Sequence, residues 1–320
     1  MKILITGGAG FIGSHLTDEL LSLGHCVTVI DNLSTGSEDN IAQHLTNEKF
    51  AFIKEDIIDE DSKIESLIAN ADMVYHLAAA VGVELVVNDP VHTLLTNVSG
   101  TEKVLQAAAK NNTRIIVAST SEVYGKSTKE TFSETDDLLI GSPYNSRWSY
   151  ACSKLLDEFF VMAFHQANDL DGCVVRFFNT VGPRQTGRYG MVLPRFVKAA
   201  LSNENLLVYG TGEQTRCFCH VADTVQALRT LLERDDTAGK IYNIGNTEKI
   251  SINQLAQKVI AQANSSSSIE KIPYEKAYNK GFEDMLHRAP NISTITNDTN
   301  WKPVRNLEKI INDVIDFINK

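Results

Sequence analysis

Residues 2–13 read KILITGGAGFIG, and this stretch decides the fold. Lys2–Thr6 is a short apolar run halted by glycine, the pattern of a buried strand. Ile12, Leu16, Leu20 and Leu23 then recur at helical spacing, with Gly24 as the stop. Between strand and helix lies G-x-x-G-x-x-G, with Gly7, Gly10 and Gly13 at its fixed points. The first glycine permits a tight turn, the second lets a pyrophosphate approach the backbone, and the third lets helix and strand pack closely. The helix N-terminus then turns its free N–H groups and partial positive charge toward the phosphates. Three glycines alone are a weak signal; an acid at the end of the next strand makes it a strong one. That acid is Asp31, which follows Val27–Ile30 and stands eighteen residues past Gly13. It can accept hydrogen bonds from an adenosine ribose and would repel a 2′-phosphate. Asn32 follows it rather than Arg, so the expected cofactor is NAD and not NADP. Asp56, at the end of a third strand Phe50–Ile53, either meets the adenine amino group or is a solvated loop acid. Phe11, Ile12 and Ile57 complete this end of the candidate cofactor site.

Downstream the rhythm continues. Met73–Leu77 is a fourth strand that runs into small residues, and Leu77, Ala78 and Ala79 join the cofactor set. Asp89-Pro90 fits a helix start, with Asp as cap and Pro at the first helical position. That helix carries Leu94, Leu95, Val98, Val104 and Leu105 to about Asn111. Arg114–Ala118 is a fifth strand, a helix spans about Tyr150 to Gln166, and Cys173–Phe178 is a sixth strand. Alternating strands and helices imply an α/β fold, a Rossmann-type doubly wound parallel sheet with ligands along one edge. After residue 180 the alternation loosens. Segments 183–220 and 264–306 read as turns, while helices near 221–234 and 252–263 flank a strand Ile241–Ile244. The expected division is a cofactor unit of residues 1–180, joined by 217–246, and a smaller discontinuous C-terminal α/β substrate unit of 181–216 and 247–320.

The chain has 320 residues, about two domains' worth, with 43% hydrophobic and 22% charged residues, which argues against disorder. Thirty basic against forty acidic residues leave a net charge of −10, so no nucleic-acid or acidic-membrane partner is expected. No apolar run approaches the length of a membrane span, and the N-terminus reads as a strand entering a turn, not as a signal peptide. Cys26, Cys152, Cys173, Cys217 and Cys219 are an odd number, read as reduced thiols of a cytoplasmic protein. Cys217-x-Cys219 is too close for a zinc pair, and no metal is expected.

The chemistry falls on Tyr150-Ala-Cys-Ser-Lys154, which places Tyr and Lys four apart on one helix face. Upstream, the fifth strand ends in Ser119-Thr120-Ser121-Glu122, a run of hydroxyls where active-site groups emerge. A phenol with a pKa of about 10 is a poor base at neutral pH. Lowering it by about three units needs about 4 kcal/mol, which an ammonium one turn away and the positive ring of NAD⁺ can supply in a dry cleft. Tyr150 then takes a proton from a substrate hydroxyl, and Thr120 hydrogen-bonds the developing alkoxide. Tyr150 and Lys154 also belong to the cofactor set.

Taken together, TGGAGFIG, VID, HLAA at 76–79, STSEVYG at 119–125 and YACSK at 150–154 resemble the extended short-chain dehydrogenase/reductase family, in its nucleotide-sugar epimerase, decarboxylase and dehydratase branch. RFFNTVGPRQ, LPRFV, VYGTGEQTR and EDMLHRAP extend the resemblance over essentially the whole chain. It implies that bound NAD⁺ oxidises the sugar C4 hydroxyl, that the 4-keto sugar is transformed, and that the same NADH returns hydride. It places Thr120, Tyr150 and Lys154 on the catalytic triad, with Ser121 and Glu122 beside them. Asn179 falls on the substrate amide, Val208 and Tyr209 on the uracil site, Arg216 and Arg288 on the arginines for diphosphate or sugar, and Val192 in the substrate set. Two positions depart from the pattern: Asn291 stands where an acid often follows Arg-x-Pro, and His220 replaces an aromatic, with no role assigned. A homodimer through a four-helix bundle, built from the helices near 92–110 and 150–166, is also implied.

Ser121 removes the Asp-Glu pair that dehydratases of this branch carry, which disfavours water elimination. Ser121-Glu122, Arg147-Trp148 and KGFEDMLHRAP resemble UDP-glucuronate-type decarboxylases, and GPRQTGRYGM resembles bacterial UDP-sugar and UDP-uronate 4-epimerases. Glu122 near a substrate carboxylate would repel it and favour CO₂ loss; near a neutral C6 hydroxyl it would accept a hydrogen bond. The motifs lean to a UDP-sugar 4-epimerase, with a decarboxylase as the alternative and a non-catalytic NAD sensor as a third reading.

Overall fold

The computed structural model describes residues 1–81, 90–186, 191–274, 285 and 288–320. Its first half runs β1 (Lys2–Thr6), α1 (Phe11–Ser22), β2 (Cys26–Ile30), β3 (Phe50–Ile53), α2 (Ile64–Ala69) and β4 (Met73–His76). It continues through α3 (Pro90–Asn111), β5 (Arg114–Thr120), α4 (Arg147–Asn168), β6 (Gly172–Phe177) and β7 (Thr180–Val181). The second half holds α5 (Val192–Leu201), β8 (Leu206–Tyr209), β9 (Thr215–Cys217), β10 (Cys219–His220), α6 (Val221–Leu232) and β11 (Ile241–Ile244). It ends with β12 (Lys249–Ser251), α7 (Ile252–Gln262), β13 (Ile269–Ile272), α8 (Ser293–Thr299) and α9 (Leu307–Ile318).

Seven strands form one sheet in the order β11-β6-β5-β4-β1-β2-β3, and every pairing in it is parallel. The strands are apolar on both sides because helices cover both faces. Side-chain alternation divides them between two cores. Ile3, Ile5, Val27, Val29, Met73 and Tyr75 point to the face covered by α1 and α6, where they meet Leu16, Leu20, Leu228 and Leu231. Leu4, Ile30, Val74, Ile115 and Val117 point the other way, to Val104, Leu105 and Val161 of α3 and α4. The chain crosses from β3 back over β1 to β4, so the strand order reverses between β1 and β4. A crevice opens at such a switch point, at the carboxyl ends of the strands. Thr6 lies level with His76 there.

The remaining pieces build a separate core. Leu193, Phe196 and Val197 of α5 pack with Leu206 and Val208 of β8, Leu255 of α7, and Ile310 and Ile311 of α9. β9 pairs antiparallel with β12, and β8 parallel with β13. Residues 183–220, read from sequence as turns, thus contain α5 and three short strands, too short to show a period. The α9 pattern Leu307, Ile310, Ile311, Val314 was legible as a helix stripe and was overlooked. α4 begins three residues earlier than read, with Ser146 at its N-cap. The expected cap Asp89 lies outside the described residues, as do residues 187–190 of GPRQTGRYGM and most of KGFEDMLHRAP. All five cysteines are free. No helix among the described residues is long and apolar enough to cross a membrane.

Candidate active site

A cavity of about 780 Å³ runs from the glycine turn, over the carboxyl ends of the sheet, to the second core. That is the size of a small-molecule site. Gly7 has φ +70°, and a Cβ there would stand 2.8 Å from the Ala78 backbone nitrogen. A Cβ on Gly13 would collide with the Gly7 carbonyl and sit 2.7 Å from Gly8 Cα, so helix and turn meet only because glycine is there. Gly10 differs: a Cβ there meets one atom within 4 Å, the Gly7 carbonyl oxygen at 3.1 Å, and otherwise projects into open space. Gly10 caps α1 without a side-chain cap, and no acid occupies the first turn of that helix. The turn and helix start therefore fit a dinucleotide pyrophosphate: the first turn of α1 has no side-chain cap and a cradle is left by the missing side chain of Gly10.

Asp31 is nearly buried and lines the cavity. It accepts the Ala9 N–H at 2.9 Å and the Leu33 N–H at 2.8 Å. Burial pushes its pKa up, and these backbone donors pull it back down. Its remaining lone pairs are those a ribose diol would use. Asn32 donates to Asp56 at 2.7 Å, and Asp56 also accepts the Ile58 N–H at 3.1 Å, so both early readings of Asp56 stand. Phe11, Ile12, Ile57, Leu77, Ala78 and Ala79 line the same cavity.

At its far end β5 delivers Thr120, the N-cap of a short 3₁₀ turn over Ser121–Tyr124, whose hydroxyl accepts the Glu122 N–H at 3.2 Å. The Thr120 hydroxyl also hydrogen-bonds the Tyr150 phenol. Burial, then the charges of Glu122 and Asp157, push the Tyr150 pKa up, while Thr120 and Arg288 pull it down. This corrects the sequence expectation. Lys154 is spent on Asp157, Nζ to Oδ2 at 2.6 Å, both side chains buried in the helix. The protein alone therefore holds Tyr150 as a neutral phenol.

Glu122 lies 3.1 Å from Arg288 and 3.8 Å from Arg147. Arg288 also donates to the Asn179 amide oxygen at 3.3 Å. Asn179 itself sits in the left-handed region, φ +34°. Arg288 thus stands beside Glu122 and Tyr150, at the reacting end of the cavity. Arg147, part of the Arg147-Trp148 motif and outside the site set read from the sequence, is buried and lines the cavity. Arg216 donates to the Met285 and Thr215 carbonyls, both at 2.8 Å. Ser121, Val192, Tyr209 and Arg216 line the cavity. Val208 is not brought there: it is fully buried in the second core, since alternation along β8 turns it inward. The residues missed are Arg195, whose guanidinium stacks 4.2 Å from the Tyr209 ring, and Gln214, which donates to the Tyr209 carbonyl at 3.0 Å. Both line the cavity, and both sit inside quoted motifs, LPRFV and VYGTGEQTR, from which no role had been drawn for them. His220 gains a structural role: its Nδ1 accepts the Ala222 N–H at 2.9 Å and caps α6.

The family model described as GDP-mannose 4,6 dehydratase matches residues 4–314. A UDP-N-acetyl-alpha-D-glucosaminuronate decarboxylase of Bacillus cytotoxicus is 41% identical over 100% of this chain and 98% of its own. UDP-glucuronic acid decarboxylase 1 of Xenopus tropicalis is 35% identical over 100% of this chain and 72% of its own. The UDP-glucuronic acid 4-epimerase of Bacillus cereus, solved with UDP-glucuronic acid and NAD, superposes with a TM-score of 0.89 at 28% identity, covering 100% of this chain and 99% of that one.

Proposed function

This chain belongs to the GDP-mannose 4,6-dehydratase family, within the extended short-chain dehydrogenases/reductases, and from that premise we propose that it is an NAD-dependent UDP-hexuronate decarboxylase. The observation that carries the reading is the Arg147–Glu122–Arg288 cluster beside Tyr150, in a chain whose similar curated relatives are uronate decarboxylases. The sequence motifs lean the other way, to a 4-epimerase; the relatives favour the decarboxylase.

NAD, when bound, supplies a reversible hydride acceptor for the sugar carbinol carbon. The residues that hold it are the Gly7–Gly13 turn and α1 at the pyrophosphate, Asp31 at the ribose, and Leu77–Ala79, Tyr150 and Lys154 toward the nicotinamide end. Tyr150 takes the proton from the C4 hydroxyl, and Thr120 holds that oxygen in line. Once C4 is a ketone, the uronic acid is a β-keto acid. The C5–C6 bond then breaks, CO₂ leaves, and its electron pair moves to the C4 oxygen as an enolate. Tyr150 and Thr120 donate hydrogen bonds to that oxygen, which lowers the barrier where charge develops. Arg288 and Arg147 attract the carboxylate into the site, and Glu122 between them keeps the attraction from becoming a trap. Such balance favours the transition state over the bound acid. A proton from solvent takes the place of the carboxyl group at C5, and Tyr150 gives its proton back to the C4 oxygen when C4 is again a carbinol, which completes a UDP-pentose product.

A 4-epimerase is the second reading, favoured by the likeness to the Bacillus cereus 4-epimerase. Separate incubations with UDP-glucuronate, UDP-N-acetylglucosaminuronate and UDP-glucose, read by product mass, test the two. Loss of carbon dioxide from a uronate supports the decarboxylase; a new isomer of unchanged mass overturns it. A homodimer through α3 and α4 fits the apolar side chains they leave exposed, Val91, Leu95, Leu156 and Phe159. A cytoplasmic setting fits the free cysteines.

A further inference from the structure

Behind Tyr150 runs a line of buried polar side chains, of which the chemistry above uses only the last, Lys154. It starts at Thr6, the last residue of β1, whose hydroxyl accepts the Ala78 N–H at 3.1 Å. Thr6 Oγ1 lies 2.8 Å from His76 Nδ1, and His76 Nε2 lies 3.0 Å from Thr101 Oγ1 on α3. Thr101 hydrogen-bonds the Asp157 carboxyl, and Asp157 Oδ2 holds Lys154 Nζ at 2.6 Å. All five residues are buried, none above 2% exposed.

The donors can be ordered. An ionised Asp157 only accepts, so Thr101 gives it its proton and takes the His76 Nε2–H, which leaves Nδ1 to accept the Thr6 hydroxyl. His76 is neutral, its pKa pushed down to about 3 by burial and the Lys154 charge, so its one N–H is on Nε2 and points to Thr101. Thr101 then donates to Asp157, as does Lys154. Every proton in the line is directed at one carboxylate. A bare ammonium in this dry core would be costly, and a carboxylate without donors equally so.

We propose that Asp157 is a positioning residue for the acid/base pair, a fixed negative charge at the end of a buried hydrogen-bond chain that offsets Lys154 and thereby sets the pH at which Tyr150 becomes a base. Asp157 acts on Tyr150 in two ways of the same sign. Its charge opposes the phenolate, and it draws the Lys154 ammonium toward itself. The other charged groups around Tyr150 are Glu122, which opposes the phenolate, and Arg288, which favours it. Around Asp157 stand Lys154 and Glu158 on α4, Thr101 on α3 and His76 on β4. Glu158 is matched by Arg176 of β6 at 2.7 Å. Arg147 faces Glu122, and His92 of α3 lines the same cavity.

The inference rests on Tyr150 acting as the acid/base group, but its test needs no turnover. Tyrosinate absorbance is titrated in the full chain as purified, and the titration of the Tyr150→Phe form is subtracted to isolate Tyr150. In Asp157→Asn, measured against its own Tyr150→Phe double form, the Tyr150 midpoint falls by about one pH unit or more. Burial pushes the Asp157 pKa up, and Lys154 first and Thr101 second pull it down; Thr101→Val removes the lesser of these two and gives a smaller fall in the same direction. The rising limb of the kcat/KM–pH profile moves with the midpoint. A purely structural role lowers stability and leaves the midpoint in place. An unmoved or rising midpoint in folded Asp157→Asn overturns the proposal; if that variant does not fold, an unmoved midpoint in Thr101→Val overturns it. Full turnover in Tyr150→Phe would remove the acid/base reading and leave the titration result standing.

Discussion

The two ends of the cavity are built by different means. At the cofactor end the pyrophosphate site is backbone, one turn and one helix terminus, and with the Asp31 carboxylate it falls within the first thirty-one residues. At the sugar end it is side chain and charge: Glu122, Arg147, Tyr150, Asn179 and Arg288, drawn from four segments far apart in the chain. Backbone sites depend on shape and tolerate no added atom. Charge sites depend on balance, and a single substitution changes their preference before it changes their shape.

Substitutions at the two ends therefore fail differently. Tyr150→Phe removes the proton acceptor and leaves the glycine turn intact. Its kcat falls by about 10²- to 10⁴-fold, while NAD, still held by the turn and Asp31, loses far less affinity in calorimetry. Arg288→Met leaves Glu122 with Arg147 alone. It raises KM for the uronate by about thirtyfold or more, a loss of about 2 kcal/mol or more, while binding of UDP alone is retained in calorimetry. An equal loss for UDP would move Arg288 to the diphosphate, as the sequence resemblance allowed. Gly13→Ala forces a methyl against the Gly7 carbonyl. It costs about 1–3 kcal/mol of stability in denaturant unfolding and weakens NAD binding, with the pH profile of the remaining activity unchanged.

The smallest effect separates the core beneath both ends. His76 is buried with its pKa down at about 3. The unfolded chain takes up a proton near pH 6.5 that the folded chain refuses, so stability falls as pH drops below that value. The slope reaches about 1.4 kcal/mol per pH unit and continues down toward the folded pKa. His76→Gln flattens it, and unfolding curves at pH 7 and pH 5 measure the change.

The same contrast explains what the sequence made legible. The sheet, the turn and Asp31 could be read because each is a local pattern whose geometry repeats in any βαβ unit. The Tyr150–Lys154 spacing was legible for the same reason. Its electrostatics were not, because Asp157 looks like any polar residue on a helix until α3 and β4 enclose it. Arg147 and Arg288 lie more than 140 residues apart and meet only through Glu122. Val208 and Tyr209 are neighbours in sequence, yet strand alternation gives one to the core and the other to the cavity. The short strands of the second unit have too few residues to show a period, and only pairing partners define them.

The central claim is that the charge cluster around Glu122 serves a uronate that loses its carboxyl group. UDP-glucuronate and UDP-N-acetylglucosaminuronate labelled with ¹³C at the carboxyl carbon test it most directly, with the label followed by NMR. Label from at least one of them is expected to leave as carbon dioxide and bicarbonate, and Tyr150→Phe to stop its release. Label retained in a C4-inverted UDP-uronate would contradict it and return the chain to the 4-epimerases.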